Sequence, residues 1–277
     1  MKSNSILAID AGGTFLKSTI INNGILKDVK FVPVNSNGSK EEILNSFLDT
    51  ISLWDREGFC DIRIAIPGPF NYSESMSLSR HKFSALYGLN LADEIRYHCD
   101  LTDIDIFFFS DTNTFLKGQI YLHPDLLGKR VAAITIGTGL GLSLFYDGRI
   151  ITNENGGPRE VIFNLPVNDQ EILEDYVSNR GICNHYNERS KTIICTSAKE
   201  VAQINNFIAK EVYLEMGNML GKFLKPILKK HKIDILIVGG QISKSYSMFK
   251  KTLTKQLVDV QIICFDNIDN VTFYGLL

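Results

Sequence analysis

Long apolar runs, paired cysteines and charge of one sign are all scarce in this chain of 277 residues. No stretch is long and apolar enough to cross a bilayer as a helix, so a membrane is not an expected partner. The opening residues, MKSNSILAID, show no basic region, extended apolar core or small-residue cleavage site of a secretion signal. The five cysteines, Cys60, Cys99, Cys183, Cys195 and Cys264, are odd in number, widely separated and free of any CxxC pair. That pattern offers neither a disulfide framework nor zinc-ligand spacing, and it suits buried thiols in a reducing, cytoplasmic compartment. Lys and Arg number 29 against 31 Asp and Glu, for a formal net charge of -2, with no long basic run. The electrostatic footprint of a nucleic-acid binder is therefore missing, while small neutral or anionic ligands remain open.

What is present is a repeated alternation of short apolar runs and amphipathic stretches. Residues 5–9, 18–22, 61–66, 104–110, 131–136, 142–146 and 233–238 are apolar, β-branched and bounded by Gly, Pro, Asn or Asp, which reads as strands, several buried on both faces. Residues 41–54 and 198–231 place apolar side chains at three- and four-residue spacing, as amphipathic helices do. The alternation predicts an α/β protein. Asn22-Asn23-Gly24 reads as a hairpin turn near the start. A strand, glycine turn and strand near the N-terminus recur about half a chain later, which predicts two related domains with a cleft between them. The boundary is expected after Asp111, giving 1–111 and a larger 112–277, with helical residues 112–121 able to bridge the two.

Three glycine turns carry the candidate chemistry. Ile9-Asp10-Ala11-Gly12-Gly13-Thr14-Phe15-Leu16-Lys17 has neither Walker nor GxGxxG spacing. It does place an acid at a strand end, two glycines that let backbone approach a ligand, and a hydroxyl beside amides that can face phosphate oxygens. Ile136-Gly137-Thr138-Gly139-Leu140-Gly141 repeats that offer, and Val238-Gly239-Gly240-Gln241 follows a third apolar strand. Taken alone, either of the first two turns is more often a tight hairpin, and the third reads equally as a strand-to-helix turn; the set of three argues for phosphate and nucleoside binding. Asp111, in Phe109-Ser110-Asp111-Thr112-Asn113, ends a strand apolar enough to be buried, so its carboxylate can accept a hydroxyl proton during phosphoryl transfer. Taken without its context, the plainer reading of the same residue is a cap for the helix that follows.

Assembled in order, these segments resemble the ROK family of sugar kinases. IDAGGTFLK looks like that family's first phosphate motif, IAIPGPFN (residues 64–71) like its PGP segment, and SDTN like its NDAN. TIGTGLG looks like the second phosphate motif, NENGGPRE (153–160) like GxxGAAGE, LEDYVS (173–178) like LExYxS, and IVGGQIS like the adenosine-side VxGGGxS. The resemblance implies a two-lobed, actin-like ATPase (ribonuclease H-like) α/β fold with a central cleft, its N-terminal lobe serving sugar and phosphate, its C-terminal lobe the nucleotide, and the last residues packing back on the first. It implies ATP and Mg²⁺, a small-molecule sugar and a homodimer. Asp10 would hold Mg²⁺ through water, Gly12, Gly13, Thr14, Lys17, Gly137, Thr138 and Gly139 would face phosphates, and Gly239 and Gly240 would flank the nucleoside. Asp111 would be the base. Pro67, Gly68, Lys82, Ser110, Asn113, Glu160 and Glu174 would line the sugar, although a surface acid and a helix-face acid are the plainer readings of the two glutamates.

Several positions depart from the family pattern. Ser110 stands where the family has asparagine before the catalytic Asp, and Lys82 falls roughly at another sugar-binding asparagine. His81 and Lys82 could also be a surface pair. Phe163 occupies the position of the histidine that helps hold zinc, and residues 164–172 contain no cysteine. The expected activity is phosphorylation of a hexose or amino-hexose. The alternatives are a catalytically weak sugar- or nucleotide-binding protein and a related kinase such as type II pantothenate kinase; a DNA-binding repressor is not expected, because the first phosphate motif begins at the first strand. With no Cys and His set left to build a tetrahedral site, metal analysis of the purified protein is expected to find substoichiometric zinc. One zinc per chain would contradict this.

Overall fold

The computed structural model describes residues 5–54, 58–99, 101, 103–204, 206–266 and 269–277. The chain forms two compact units. The first runs to Pro124, takes in Thr152–Pro158 and regains the chain from Asp269 to Leu277; the second holds Asp125–Ile151 and the stretch from Arg159 up to that return. The boundary expected after Asp111 therefore falls behind the first residue of a helix that stays whole within the first unit.

The first unit contains β1 (Ser5–Ala11), β2 (Phe15–Asn22), β3 (Ile25–Leu26), β4 (Lys30–Pro33), α1 (Lys40–Ser52), β5 (Asp61–Ile66), β6 (Phe70–Asn71), β7 (Met76–Ser77), α2 (Leu91–Cys99), β8 (Asp105–Ser110) and α3 (Asp111–Leu122). Its main sheet runs β3-β2-β1-β5-β8, with β4 also paired to β2. β1 pairs antiparallel with β2 and parallel with β5, and β5 pairs parallel with β8. The chain reverses between β2 and β3 through Asn23 and Gly24, both at positive φ (49° and 77°), the conformation a two-residue hairpin demands. Helix α1 starts with a capping box, Ser39 Oγ accepting from Glu42 N and the Glu42 carboxylate accepting from Ser39 N. It buries Ile43, Leu44, Phe47 and Ile51 on the sheet face that carries Leu7, Ile9, Leu16 and Ile20. Trp54 joins this core at 2% exposure, donates from Nε1 to Ser18 Oγ at 2.8 Å, and lies under the Lys30 ammonium at 3.8 Å.

The second unit contains β9 (Val131–Ile136), β10 (Leu140–Tyr146), β11 (Arg149–Ile151), α4 (Glu174–Val177), α5 (Asn179–Ser190), α6 (Ala198–Ile204), α7 (Phe207–Lys230), β12 (Ile235–Gly239), α8 (Tyr246–Gln256) and β13 (Gln261–Ile263). Its sheet order, β11-β10-β9-β12-β13, repeats that of the first unit: a central strand, antiparallel to the next along the chain and parallel to a later one. The stretch expected as one helix over 198–231 is two. Asn206 breaks it, its Oδ1 accepting from Ala209 N at 2.8 Å as the N-cap of α7.

A final helix, α9 (Val271–Gly275), belongs to the first unit, where Phe273 and Leu276 pack against Ala8, Ile21 and Ala65 on the sheet face opposite α1. It crosses α3 at backbone contact. A Cβ on Gly118 would collide with the Val271 carbonyl, and one on Gly275 with that of Thr114. Gly118→Ala must push the two helices apart, and it is expected to cost about 2 kcal/mol of stability in urea denaturation. An unchanged midpoint would contradict this packing.

Candidate active site

In the first unit, every candidate residue at a strand end sits at the carboxyl end of a parallel strand, the edge at which open α/β sheets place ligands. Asp10 lies opposite Ala65, one residue short of the end of β5, and Ile66 lies opposite Ser110. Pro67 and Gly68 leave β5 there, and Asp111 leaves β8. The first glycine turn reverses the chain directly after β1. Gly12 N donates to Phe15 O at 3.0 Å, and a Cβ on Gly12 would stand only 2.9 Å from that oxygen. A tight hairpin therefore explains this glycine by itself, while Gly13 has a single neighbour, Ser36 Oγ, at 3.5 Å from its would-be Cβ, and Thr14 is exposed.

Asp111 is not the helix cap. Ser110 takes that role, its Oγ accepting from Asn113 N at 3.4 Å, and Asp111 becomes the first residue of α3. Its Oδ1 accepts from Thr112 N at 2.7 Å and Thr112 Oγ1 at 3.3 Å. Among the described residues no hydrogen bond reaches Oδ2. Across β1 and β2, Lys17 pairs with Asp10, Nζ to Oδ2 at 3.8 Å. Burial pushes the Asp10 pKa up to about 6; the Lys17 charge pulls against that and the Asp111 charge adds to it. Two carboxylates thus stand near each other, one of them paired with an ammonium. That donor set fits Mg²⁺, a hard cation that one or two carboxylates bind while it keeps several waters.

Around these acids, Ser110 and Asn113 are buried, and Asn113 Nδ2 donates to Gly156 O at 3.4 Å. Lys82 is half-buried and His81 exposed. The next residue, Phe83, donates from its backbone to Ser36 O at 2.7 Å, and Ser36 is the neighbour of Gly13, so the Lys82 loop adjoins the first glycine turn. Sequence reasoning missed Tyr72, buried beside Ser110 and Asp111, and the place of residues 152–158 in this unit. Tyr72 lies outside every motif, and the motif at 153–160 does not disclose which unit its loop packs in.

The second unit brings its two glycine turns together. β9 and β12 are parallel neighbours with Gly239 opposite Thr135, so Gly137-Thr138-Gly139 and Gly239-Gly240 leave the same sheet end. Gly240 has a φ of 83°, and a Cβ there would collide with the Ile136 backbone. Gly137 faces open space. Glu174, which the resemblance assigns to sugar hydroxyls, instead buttresses this turn, its Oε2 accepting from Leu140 N at 3.1 Å. Glu160, assigned likewise, accepts from Lys230 Nζ at 2.7 Å and lies 2.7 Å from His231 Nε2. Burial alone would raise its pKa, but the hydrogen bonds and charges of Lys230 and His231 prevail and hold it below the usual range. Phe163 packs on the second core. Among the described residues no group of three or more His, Cys, Asp or Glu could together hold a metal ion.

The raised Asp10 pKa has a measurable sign. Folded, Asp10 keeps its proton up to about pH 6; unfolded, it releases it near 3.8. The folded state therefore loses stability as pH rises through that window. Asp10→Asn escapes the loss, so its stability relative to the parent chain is expected to climb across the window and level off above it. Urea denaturation over a pH series checks this; a difference that stays flat with pH would contradict the burial of this charge.

The ROK family model matches residues 6–263. A glucokinase of Thermotoga maritima is 24% identical over 159 residues, which make up 56% of this chain and 49% of that protein. The chain thus matches about half the length of this curated relative. Among solved structures, a ROK family glucokinase from Streptomyces griseus in complex with glucose and AMPPNP aligns over 98% of this chain and 97% of its own, at a TM-score of 0.82 and 15% identity. A ROK family transcriptional regulator, a homologue of the E. coli Mlc protein, aligns over 98% of this chain and 77% of its own, at a TM-score of 0.82 and 16% identity. These likenesses show the fold, the two-lobed α/β architecture of actin-like ATPases. Kinase and regulator share it, so the fold does not choose between them. With its model matched across nearly the whole sequence, the chain belongs to the ROK family, which includes sugar kinases and transcriptional regulators.

Proposed function

We propose that the protein is an ATP-dependent kinase of a hexose or amino-hexose hydroxyl, with Asp111 as general base. The observation that carries this reading is the split state of the Asp111 carboxylate: Oδ1 is held by Thr112, and Oδ2 is left for a substrate beside Asp10 and Lys17. A base needs one oxygen fixed for direction and the other open to the proton it takes. The acceptor hydroxyl gives its proton to Oδ2 as its oxygen attacks the γ-phosphorus, and the bond from that phosphorus to the ADP oxygen breaks.

The other residues take roles that follow from their places. Lys17 and the backbone of Gly12, Gly13 and Thr14 meet phosphate oxygens, and Asp10 holds Mg²⁺ through water. Bound there, the ion would neutralise charge on the transferring phosphoryl group. In the second unit, Gly137, Thr138 and Gly139 offer backbone to phosphates, and Gly239 and Gly240 offer backbone without side chains to a nucleoside. Pro67, Gly68, Lys82, Ser110 and Asn113 line the acceptor. The first unit thereby serves sugar and phosphate and the second the nucleotide, in a cytoplasmic homodimer. Glu160 and Glu174 enter this reading only if substrate displaces their present partners.

That last point favours a second reading, a sugar- or nucleotide-binding protein of low activity, since both acids are engaged and Phe163 packs against the second core. A related kinase acting on pantothenate is a further alternative. A panel measuring ATP consumption with glucose, mannose, fructose, allose, N-acetylglucosamine, N-acetylmannosamine and pantothenate separates them. Turnover with a sugar is expected, and Asp111→Ala should reduce it by about 10² or more. Silence across the panel supports the binding protein, and undiminished turnover in the variant removes Asp111 from the chemistry.

A further inference from the structure

One side chain of the first unit lies between the PGP turn and the 153–158 loop and belongs to none of the motifs. Tyr72 follows β6 and is 9% exposed. Its hydroxyl donates to Ile66 O, the last carbonyl of β5, at 3.1 Å, and would stand 3.2 Å from a Cβ on Gly68 in the PGP turn. Ile66 is the register partner of Ser110 across β5 and β8, so this bond anchors the strand end beside the residue that precedes Asp111. Ser110 in turn caps α3 and accepts from Thr114 Oγ1 at 2.7 Å through its carbonyl. Burial, and after it the Asp111 charge, push the Tyr72 pKa far up, so the hydroxyl keeps its proton and remains a donor.

The ring and backbone of Tyr72 hold a second element. Its N–H donates to Asn155 O at 2.9 Å. Gly156, at a φ of 78°, would place a Cβ 3.2 Å from the Tyr72 Cβ, and Gly157 one 3.4 Å from Cε2. Two successive glycines therefore let residues 153–158 lie directly on the tyrosine. The loop is stiffened from within: Asn153 Oδ1 accepts from Asn155 N at 3.0 Å and Gly157 N at 2.9 Å, while its Nδ2 donates to Pro158 O at 3.2 Å. Asn113, two residues beyond Asp111, reaches the same loop at Gly156 O.

We propose that Tyr72 is a positioning residue of the acceptor site, its hydroxyl fixing the β5 end and the α3 cap around Asp111, its ring seating the 153–158 loop beside Asn113. The proposal rests on the reading of Asp111 as the base. It divides the side chain into two separable functions. The hydroxyl sets the direction of the base and so acts on the chemical step. The ring sets the wall that the loop presents to the acceptor and so acts on acceptor binding.

Two substitutions separate them. Tyr72→Phe keeps the ring and is expected to lower kcat roughly ten-fold with the acceptor KM unchanged, the loss of one buried hydrogen bond at the base. Tyr72→Leu removes both and should also raise the acceptor KM by roughly ten-fold, with the KM for ATP unmoved. Phe at position 72 thus rescues KM but not kcat. Amide hydrogen exchange on the same proteins is read independently of activity: Tyr72→Phe should hasten exchange at residues 110–114, and Tyr72→Leu also at 153–158. A lower melting temperature with kcat, KM and local exchange all unchanged would overturn the proposal and leave Tyr72 as core packing. If the parent chain phosphorylates nothing in the panel, it is the kinase reading that has failed; local exchange then decides Tyr72, and unchanged exchange at both segments overturns it.

Discussion

A strand that pairs antiparallel with its successor and parallel with a later strand must reverse at the end where its parallel neighbours release their chains. β1 and β9 both obey this constraint, and the rest of each unit follows from it. The reversal is tight, so glycine occupies it: the Gly12 amide bonds across the turn to Phe15 O, and the Gly137 amide to Gly139 O. The same reversal leaves open backbone beside residues emerging from the parallel strands. In the first unit those residues are acids, Asp10 and Asp111; in the second they are glycines, Gly239 and Gly240. One topology, used twice, thus yields a charged sheet edge in one unit and a bare backbone edge in the other.

The charged edge is held in tension. Asp10 is half-buried beside a carboxylate neighbour and one ammonium, and its raised pKa reflects first the water it has lost and then the neighbouring negative charge, which the ammonium only partly offsets. Asp111 sits differently, at the first turn of a helix whose backbone donors favour an anion. Ser110 makes this possible by taking the cap itself.

How much of this the sequence disclosed depended on whether the signal was local. Strands 61–66 and 131–136 fall on the residues expected, because apolar, β-branched runs bounded by polar residues have one reading when buried on both faces. The repeated hairpin was visible from two glycine turns, and the Asn23-Gly24 reversal from its dipeptide. The break at Asn206 was not, since apolar spacing continues across it and only a side-chain cap interrupts the helix. Residues 152–158 joined the first unit without warning, as their bonds go to Tyr72 and Asn113, far off in sequence. Glu160 and Glu174 show the limit of motif reading: the residue types match, but whether a carboxylate is open depends on Lys230, His231 and the Leu140 amide, which no motif contains.

The single tryptophan of the chain lies wholly on one side of this duplication. Trp54 is sealed in the first core, with its indole N–H on Ser18 and the Lys30 ammonium over its face. The second unit, with a core as large, has tyrosines but no indole. Intrinsic tryptophan emission is therefore a reporter of the first unit alone, and the two halves of the chain can be watched apart by comparing it with a signal that both share, such as far-ultraviolet circular dichroism.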